Sequence, residues 1–344
     1  MNKPEQLLTV LDKKKCICIM VHNNPDPDAL ASAGGIAFLL ERKGYRNVRV
    51  YYSGLIGRAE NRELVKILPV KLHKTNMIRK VKDRQFILVD SQPYSGNIYL
   101  PEGAEILGSI DHHVLRKTTK SLPFYDVRPH YGACATIVYE YLQSEEIEPL
   151  CALATSLAYA IYSETQGLGR EAGDEDRGIY VKLMSNVNFS RLSKILNPSL
   201  SRMFIFNLSH VLLNTFYYKN IAGVILEELP YPDFAAEMAD FLLRIQNVSW
   251  ALVLGPYENQ LSVSLRTSQI KGHAYRAIKK IIPRSGTSGG HEMIAGAQVP
   301  LENLSPQAVR SFERDILRNM LDYLNHTNVK SLGRLVSDEP FSFF

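Results

Sequence analysis

His22, Asp26 and Asp28 fall within one seven-residue stretch, His22-Asn23-Asn24-Pro25-Asp26-Pro27-Asp28. All three side chains are common metal ligands. Further along come a solitary Asp90, the run Asp111-His112-His113, and Glu164 in Tyr162-Ser163-Glu164-Thr165. Brought together, so many carboxylates would repel one another, and several would be forced to hold protons. Divalent cations remove that conflict. A mixed imidazole and carboxylate set suits Mn2+, Mg2+ or Fe2+ better than thiolate-preferring metals. The set exceeds what one ion needs and suits two. Two ions about 3.5–4 Å apart clamp a phosphoryl group and generate a hydroxide nucleophile at neutral pH.

Whether these residues converge depends on the elements that carry them. Residues 16–21 are an apolar, strand-like run, and 28–43 is a small-residue helical pattern closed by Gly44. Strands are expected at 47–53, 85–90 and 104–111, with a helix at 58–68. Alternating strands and helices imply an α/β fold with a mostly parallel sheet flanked by helices. His22, Asp90 and Asp111 each fall at the carboxyl end of an expected strand, which is where open α/β sheets bind ligands. Helices are then expected at 133–146, at 149–164 with Pro149 in its first turn, and at 174–186.

The stretch 188–216 is helical, broken at Asn197-Pro198, and reads as a helical linker. From about Tyr217 the pattern restarts as a smaller α+β domain. Strands are expected at 220–227, 249–255 and 261–266, and helices at 233–245, 274–282 and 305–326. The last has Ser305 as N-cap and Pro306 at its first position. This divides the chain into 1–187, a linker at 188–216, a second domain at 217–327 and a tail at 328–344, read as a surface arm anchored by Phe341, Phe343 and Phe344. The glycine-rich loop Gly286-Thr287-Ser288-Gly289-Gly290-His291 lacks the Gly-Lys-Ser/Thr ending of a nucleotide P-loop. His291-Glu292-Met293-Ile294-Ala295 begins like a zinc-protease helix but has no second histidine.

Composition narrows the class. The chain has 344 residues, 22% charged and 45% hydrophobic, which is room for two ordinary globular domains. A net charge of +5 suits a phosphate-bearing substrate without a dense stripe for long duplex nucleic acid. The densest basic run, 71–84, reads as a solvated helix-and-loop surface. Four cysteines, Cys16, Cys18, Cys134 and Cys151, form no CxxC pair and read as free thiols in a reducing compartment. The first 15 residues lack an apolar signal core, and no apolar run approaches a membrane span. A cytoplasmic protein without membrane contact is expected.

His-x-x-x-Asp-x-Asp at His22–Asp28, the strand-end Asp90 and Asp-His-His at 111–113 resemble the DHH phosphoesterase superfamily. Gly289-Gly290-His291, with Arg266 in Ser264-Leu265-Arg266-Thr267, resembles its DHHA1 domain. The resemblance spans roughly residues 15–325 and points to the oligoribonuclease and phosphoadenosine-phosphate phosphatase branch. It implies that His22 and Asp26 hold one metal, Asp28 and His112 another, and that Asp90 bridges them. Glu164 stands where the family has an aspartate on the second metal, one methylene longer. Asp111 would orient an imidazole. His113 would face the phosphate as acid or ligand, and Arg266 and His291 would bind phosphate or nucleotide. The backbone amides of Gly289 and Gly290 could approach a phosphate closely. Outside the family pattern, Arg170 in the loop after Glu164 is a candidate substrate contact.

The expected function is metal-dependent hydrolysis of phosphodiesters or phosphomonoesters in small nucleotides or short single-stranded oligonucleotides. Nano-RNA, phosphoadenosine phosphate and dinucleotides are the substrates the resemblance implies. Two Mn2+ ions are the expected cofactors, with Mg2+ or Co2+ as substitutes. The alternatives are a RecJ-like single-strand exonuclease and, because of Glu164, a catalytically silent nucleotide-binding regulator. The sequence leaves a homodimer open.

Overall fold

The structure, a computed structural model, describes residues 1–290, 292–302, 304–326, 329, 331–337 and 340–341. The chain separates into two compact units, Met1–Ser199 and Leu200–Phe344.

The first unit contains α1 (Lys3–Thr9), β1 (Cys16–Met20), α2 (Pro27–Arg42), β2 (Val48–Tyr52), α3 (Ala59–Ile67), β3 (Leu72–Lys74), β4 (Arg84–Val89), β5 (Ile106–Asp111), β6 (Phe124–Val127), α4 (Cys134–Ser144), α5 (Cys151–Glu164), α6 (Asp174–Met184) and α7 (Phe189–Leu196). Its strands form one parallel sheet in the order β3-β2-β1-β4-β5-β6. The strand order reverses between β1 and β4. The chain leaves these neighbours in opposite directions, which opens a crevice beyond their carboxyl ends.

The composition of β1 follows from its central place. Both faces are buried, so the run is apolar throughout rather than alternating with polar residues. Ile17, Ile19 and Val21 join the large core under the helices. Cys16, Cys18 and Met20 join a smaller core on the other face, with Tyr51, Phe86 and Leu88. That second face is covered by irregular segments including Ile78, Val81, Ile98 and Leu100.

Helix α2 starts where Asp26 caps it, accepting from the Ala29 amide at 2.9 Å, with Pro27 inside the first turn. Its small residues allow close packing. A Cβ on Gly35 would lie 2.4 Å from Val138 Cγ1 of α4, so only glycine fits at that crossing. Leu30, Ile36, Leu39 and Leu40 of α2 are fully buried, each worth roughly 1.5–3 kcal/mol of burial.

The second unit contains α8 (Arg202–Asn214), β7 (Phe216–Tyr218), β8 (Ile221–Ile225), α9 (Phe234–Leu242), β9 (Trp250–Tyr257), β10 (Gln260–Thr267), α10 (Ala274–Ile281), β11 (Thr287–Gly290), β12 (Ile294–Pro300), α11 (Pro306–Tyr323), β13 (Leu332–Arg334) and β14 (Pro340–Phe341). Its sheet runs β11-β12-β10-β9-β8-β7-β13-β14 and is antiparallel except between β8 and β9. Along β9, Trp250, Leu252 and Leu254 meet α10 and α11, while Ala251 and Val253 meet α9. This is the period-two pattern of a sheet covered on both faces.

Several elements differ from the sequence expectations. The basic run 71–84 contains β3, two short 3-10 turns and the first residue of β4. Pro149 precedes α5, whose N-cap is Leu150. The stretch 188–216 holds two helices, α7 in the first unit and α8 in the second. Part of the tail enters the second sheet, with β13 pairing β7 and Leu332 buried. Phe343, Phe344 and His291 lie outside the described residues. The glycine-rich stretch is an edge strand, β11, rather than a loop. Gly290 sits at φ +144°, and a Cβ there would lie 2.2 Å from the Ile294 carbonyl oxygen.

Candidate active site

The crevice at the β1/β4 switch point collects most of the ligand-type residues. His22 follows β1, Asp90 follows β4, and Asp111 ends β5. Asp90 adopts φ +53°, a left-handed conformation that costs a non-glycine residue energy and recurs at functional sites. It is 2% exposed.

Two ligand sets share Asp90. In one, His22 Nε2 lies 3.4 Å from Asp26 Oδ2 and 3.7 Å from Asp90 Oδ2. In the other, Asp90 groups with His112 and His113, with His112 Nε2 3.6 Å and His113 Nδ1 3.8 Å from Asp90 Oδ1. The imidazole tautomers follow from their neighbours. His22 Nδ1 donates to the Asn23 carbonyl at 2.9 Å, and His112 Nδ1 to the Tyr131 carbonyl at 3.2 Å. A carbonyl only accepts, so Nδ1 of each ring carries a hydrogen and Nε2 is the nitrogen that faces the carboxylates. Asp90 Oδ1 and His112 Nε2 are buried without a hydrogen-bond partner. Such atoms inside a cluster of acids are what a cation would satisfy. The donor set of imidazole nitrogen and carboxylate oxygen fits a divalent ion of the Mn2+ type.

The electrostatics point the same way. Burial pushes the Asp90 carboxyl well above the usual carboxylate range, with the Asp26 charge adding to it. Burial and the Asp90 charge do the same to Asp28, and burial with the Asp26 charge raises Glu164. Burial opposes charge on His22, but Asp26 and Asp90 outweigh it and raise the imidazole to about 10. With protein groups alone, the cluster draws protons to offset its negative charge.

Asp28 is held from three sides. It accepts from the amides of Cys134 at 2.7 Å and Ala135 at 2.8 Å, and from Ser32 Oγ at 3.1 Å. It therefore pins the start of α4 against the start of α2, with the positive end of the α4 dipole facing its charge. His112 Nε2 lies 3.7 Å from Asp28 Oδ2. Asp111 accepts from His113 Nδ1 at 2.8 Å and from the His112 amide at 2.9 Å. It thereby fixes the orientation of the His113 ring from its Nδ1 side.

Gln92 escaped the sequence reading. It is 2% exposed and donates to Asp111 Oδ2 at 2.6 Å and to the Val114 carbonyl at 3.1 Å. Its Oε1 accepts from the Arg116 amide at 2.8 Å and Thr119 Oγ1 at 2.7 Å. A buried amide with both ends engaged holds Asp111 and, through it, His113. The one available signal was its place two residues beyond a strand-end acid.

Glu164 ends α5, and its carboxylate is not in the two tight ligand sets that share Asp90. Arg170 is 9% exposed, donates to the Glu164 carbonyl at 3.2 Å, and has a buried Nε without a hydrogen-bond partner. Its charge acts on Glu164. Asn24 is spent on the loop: it turns at φ +53° and accepts from the Leu55 amide at 2.8 Å.

Arg266, Gly289 and Gly290 belong to the second unit. Arg266 is 7% exposed, with Nε on Asp240 at 2.8 Å and an NH2 group on Ser264 Oγ at 2.9 Å. Gly289 and Gly290 pair with Gly296 and Ala295 of β12.

Residues 16–163 match the DHH family, N-terminal domain, and residues 224–318 match the DHHA1 domain. The chain belongs to the DHH family and carries its DHHA1 domain. An uncharacterized protein from Methanocaldococcus jannaschii is 33% identical over 292 residues, 84% of this chain and 59% of that protein. A probable manganese-dependent inorganic pyrophosphatase from Clostridium acetobutylicum is 25% identical over 150 residues, 43% of this chain and 47% of its own length. The chain thus spans about half to three-fifths of these two relatives. The crystal structure of an exopolyphosphatase-related protein from Bacteroides fragilis shares the fold, with a TM-score of 0.63 at 16% identity over 92% of this chain and 96% of that one. No helix among the described residues is long and apolar enough to cross a membrane.

Proposed function

We propose that the chain is a metal-dependent phosphoesterase acting on small nucleotides or short oligonucleotides. The observation that carries this reading is the pair of buried, unpartnered atoms Asp90 Oδ1 and His112 Nε2, 3.6 Å apart. Their place at the β1/β4 switch point supports it, as do relatives named as manganese-dependent inorganic pyrophosphatases, which cleave a phosphorus–oxygen bond. His22, Asp26 and Asp90 would hold one ion, and Asp90 and His112 would hold a second with Asp28 and Glu164 beside it. Mn2+ is the favoured metal, because the pyrophosphatase relatives are manganese-dependent by name. Divalent ions bound there would supply Lewis-acid charge to phosphoryl oxygens and lower the pKa of a bound water toward neutral pH.

The chain's own residues do the rest. His113, held at Nδ1 by Asp111, stabilises or protonates a departing oxygen through its other nitrogen. Arg170, beside the end of α5 with a buried, unpartnered Nε, is the proposed contact for a substrate anion. Arg266, His291, Gly289 and Gly290 are proposed to bind the nucleotide end.

The test is turnover with Mn2+ against short oligoribonucleotides, phosphoadenosine phosphate, linear and cyclic dinucleotides, and pyrophosphate. Release of phosphate or mononucleotide from the small nucleotides is expected. Pyrophosphate turnover exceeding all nucleotides would move the substrate to inorganic phosphoanhydrides, as in the named relatives. Steady degradation of long single strands would favour the exonuclease. Nucleotide binding without turnover under Mn2+, Mg2+ and Co2+ would favour the silent regulator.

A further inference from the structure

A second cluster of chemical groups lies at the opposite ends of the same two strands. Cys16 and Cys18 are two apart on β1 and so point to one face, the face away from the helices. Arg84 opens β4 directly beside Cys16 in the parallel register. Its guanidinium sends one NH2 group to Cys16 Sγ at 3.2 Å, Cys18 Sγ at 3.6 Å and Tyr51 Oη at 3.3 Å. Its Nε donates to the Arg79 carbonyl at 2.8 Å. No carboxylate among the described residues forms an ion pair with Arg84. A half-buried guanidinium is always charged and only donates, so it needs acceptors. Two neutral thiols and a phenol are poor acceptors; a thiolate is a good one.

We propose that Cys16 is a modification site: a sulfur held by the Arg84 guanidinium beside a second thiol, Cys18, and reactive toward small soft electrophiles and hydrogen peroxide. The inference does not depend on the phosphoesterase reading.

Three features select Cys16 over Cys18. Cys16 keeps 9% of its surface exposed, whereas Cys18 is fully buried. The neighbouring Cys18 thiol and the charges of Arg84 and Arg49 lower the Cys16 thiol below its ordinary range. The neighbouring Cys16 and burial push the Cys18 thiol up. The charged and titratable groups around the pair are Arg84 from β4, Arg49 and Tyr51 from β2, and, across β2, His73 of β3. None is acidic. Cys134 is fully buried beside Asp28, and burial with the nearby carboxylates pushes its thiol up, so it is inert. Cys151 is exposed without a guanidinium partner among the described contacts and serves as the internal reference.

With peroxide, the Cys16 sulfur attacks one peroxide oxygen, the O–O bond breaks, and hydroxide leaves and takes a proton to become water. Sulfur loses two electrons, the peroxide gains them, and the product is a sulfenic acid.

The experiment is iodoacetamide labelling of the folded, metal-free chain from pH 5 to 9, with each cysteine quantified by peptide mass spectrometry. Cys16 is expected to label with a midpoint at least about one pH unit below the free-thiol value near 8.5. At pH 6.5 it should outpace exposed Cys151. Cys18→Ala, which removes the neighbouring thiol, should raise the Cys16 midpoint. Labelling at pH 6.5 should then slow about tenfold for every pH unit by which the midpoint rises. Arg84→Met should raise it further; Arg49→Met, at an exposed position, is the variant that leaves packing untouched and should raise it less. Dimedone should trap sulfenic acid at Cys16 after peroxide treatment. The proposal is overturned if Cys16 stays unlabelled below pH 8 while Cys151 reacts. It is equally overturned if Cys18→Ala and Arg49→Met both leave the Cys16 profile in place.

Discussion

At their carboxyl ends β1 and β4 lead into His22 and Asp90; at their amino ends the same strands begin with Cys16 and Arg84. The first pair sits in a pool of negative charge, where burial raises Asp90 and the surrounding acids raise the His22 imidazole. The second pair sits among cations, where a thiol falls in pKa. Both ends bury ionisable groups, yet they settle the charge differently. The carboxyl end has more anions than its own side chains can neutralise, so it calls for an external cation. The amino end carries a cation whose available counter-ion is a sulfur. Polarity is thus assigned by which end of a parallel sheet a residue occupies, and the divergent loops at the switch point make only the carboxyl end a crevice.

The largest expected effect comes from Asp90→Asn. Asparagine tolerates the left-handed conformation that Asp90 adopts, so the backbone should hold while the charge is lost. Turnover with Mn2+ should fall on the order of a thousandfold or more. Without divalent ions the melting temperature should hold or rise, because one member of a mutually repelling set is gone. Turnover within tenfold of the natural chain would remove Asp90 from the centre of the site.

A smaller loss is expected from Gln92→Leu. The swap keeps the volume but removes the amide that braces Asp111, and residues of this kind typically cost roughly 10–100-fold. The loss should appear in kcat with KM little changed, because His113 would be misaimed rather than removed. A KM effect alone would show that Gln92 shapes binding instead.

The difference between the two ends also predicts how each responds to metal. Mn2+ at about 100 times its Kd should stabilise the chain by about 2.7 kcal/mol. Asp90→Asn should lose most of that gain in a thermal-shift titration. The pH midpoint of Cys16 labelling should not move with Mn2+. Quenching of Cys16 by Mn2+ in the Asp90→Asn chain would mean that the thiols bind metal and that the two ends are not distinct.

Much of the carboxyl end was legible because a parallel sheet turns sequence position into spatial position. Apolar runs ending in His22, Asp90 and Asp111 must deliver them to one edge. What stayed hidden depends on contacts that spacing does not encode. Gln92 acts through four bonds to residues as far away as Thr119. Asp28 reaches across more than a hundred residues to the start of α4. The three-residue strands β3 and β7 are too short to show an alternation. The glycine-rich stretch read as a loop because glycine signals turns, whereas here it pairs as an edge strand. The cysteines read alike as unpaired free thiols, and only the register that sets Arg84 beside Cys16 separates Cys16 and Cys18 from Cys134.

A control for the comparison lies in α11, where Glu313 is 8% exposed and has no ligand cluster around it among the described residues. Burial raises its carboxyl to about 7, with Arg310 offsetting only part of the cost. If burial alone raises an acid, this one should show it without any metal. Its folded-state pKa lies above the unfolded value, so the proton is bound more tightly in the native chain. Stability is therefore fully present below about pH 4.5 and declines as pH rises through 7. Glu313→Gln should abolish that decline. In urea titrations the variant and the natural chain should be nearly equal at pH 4.5, and above pH 7 the variant should be the more stable by no more than about 3 kcal/mol. Mn2+ should leave this difference unchanged, whereas it should reverse the protonation of Asp90 and Asp28. Parallel pH curves for the two chains would mean that Glu313 finds a counter-charge, and that a buried acid in this protein need not call for an external cation.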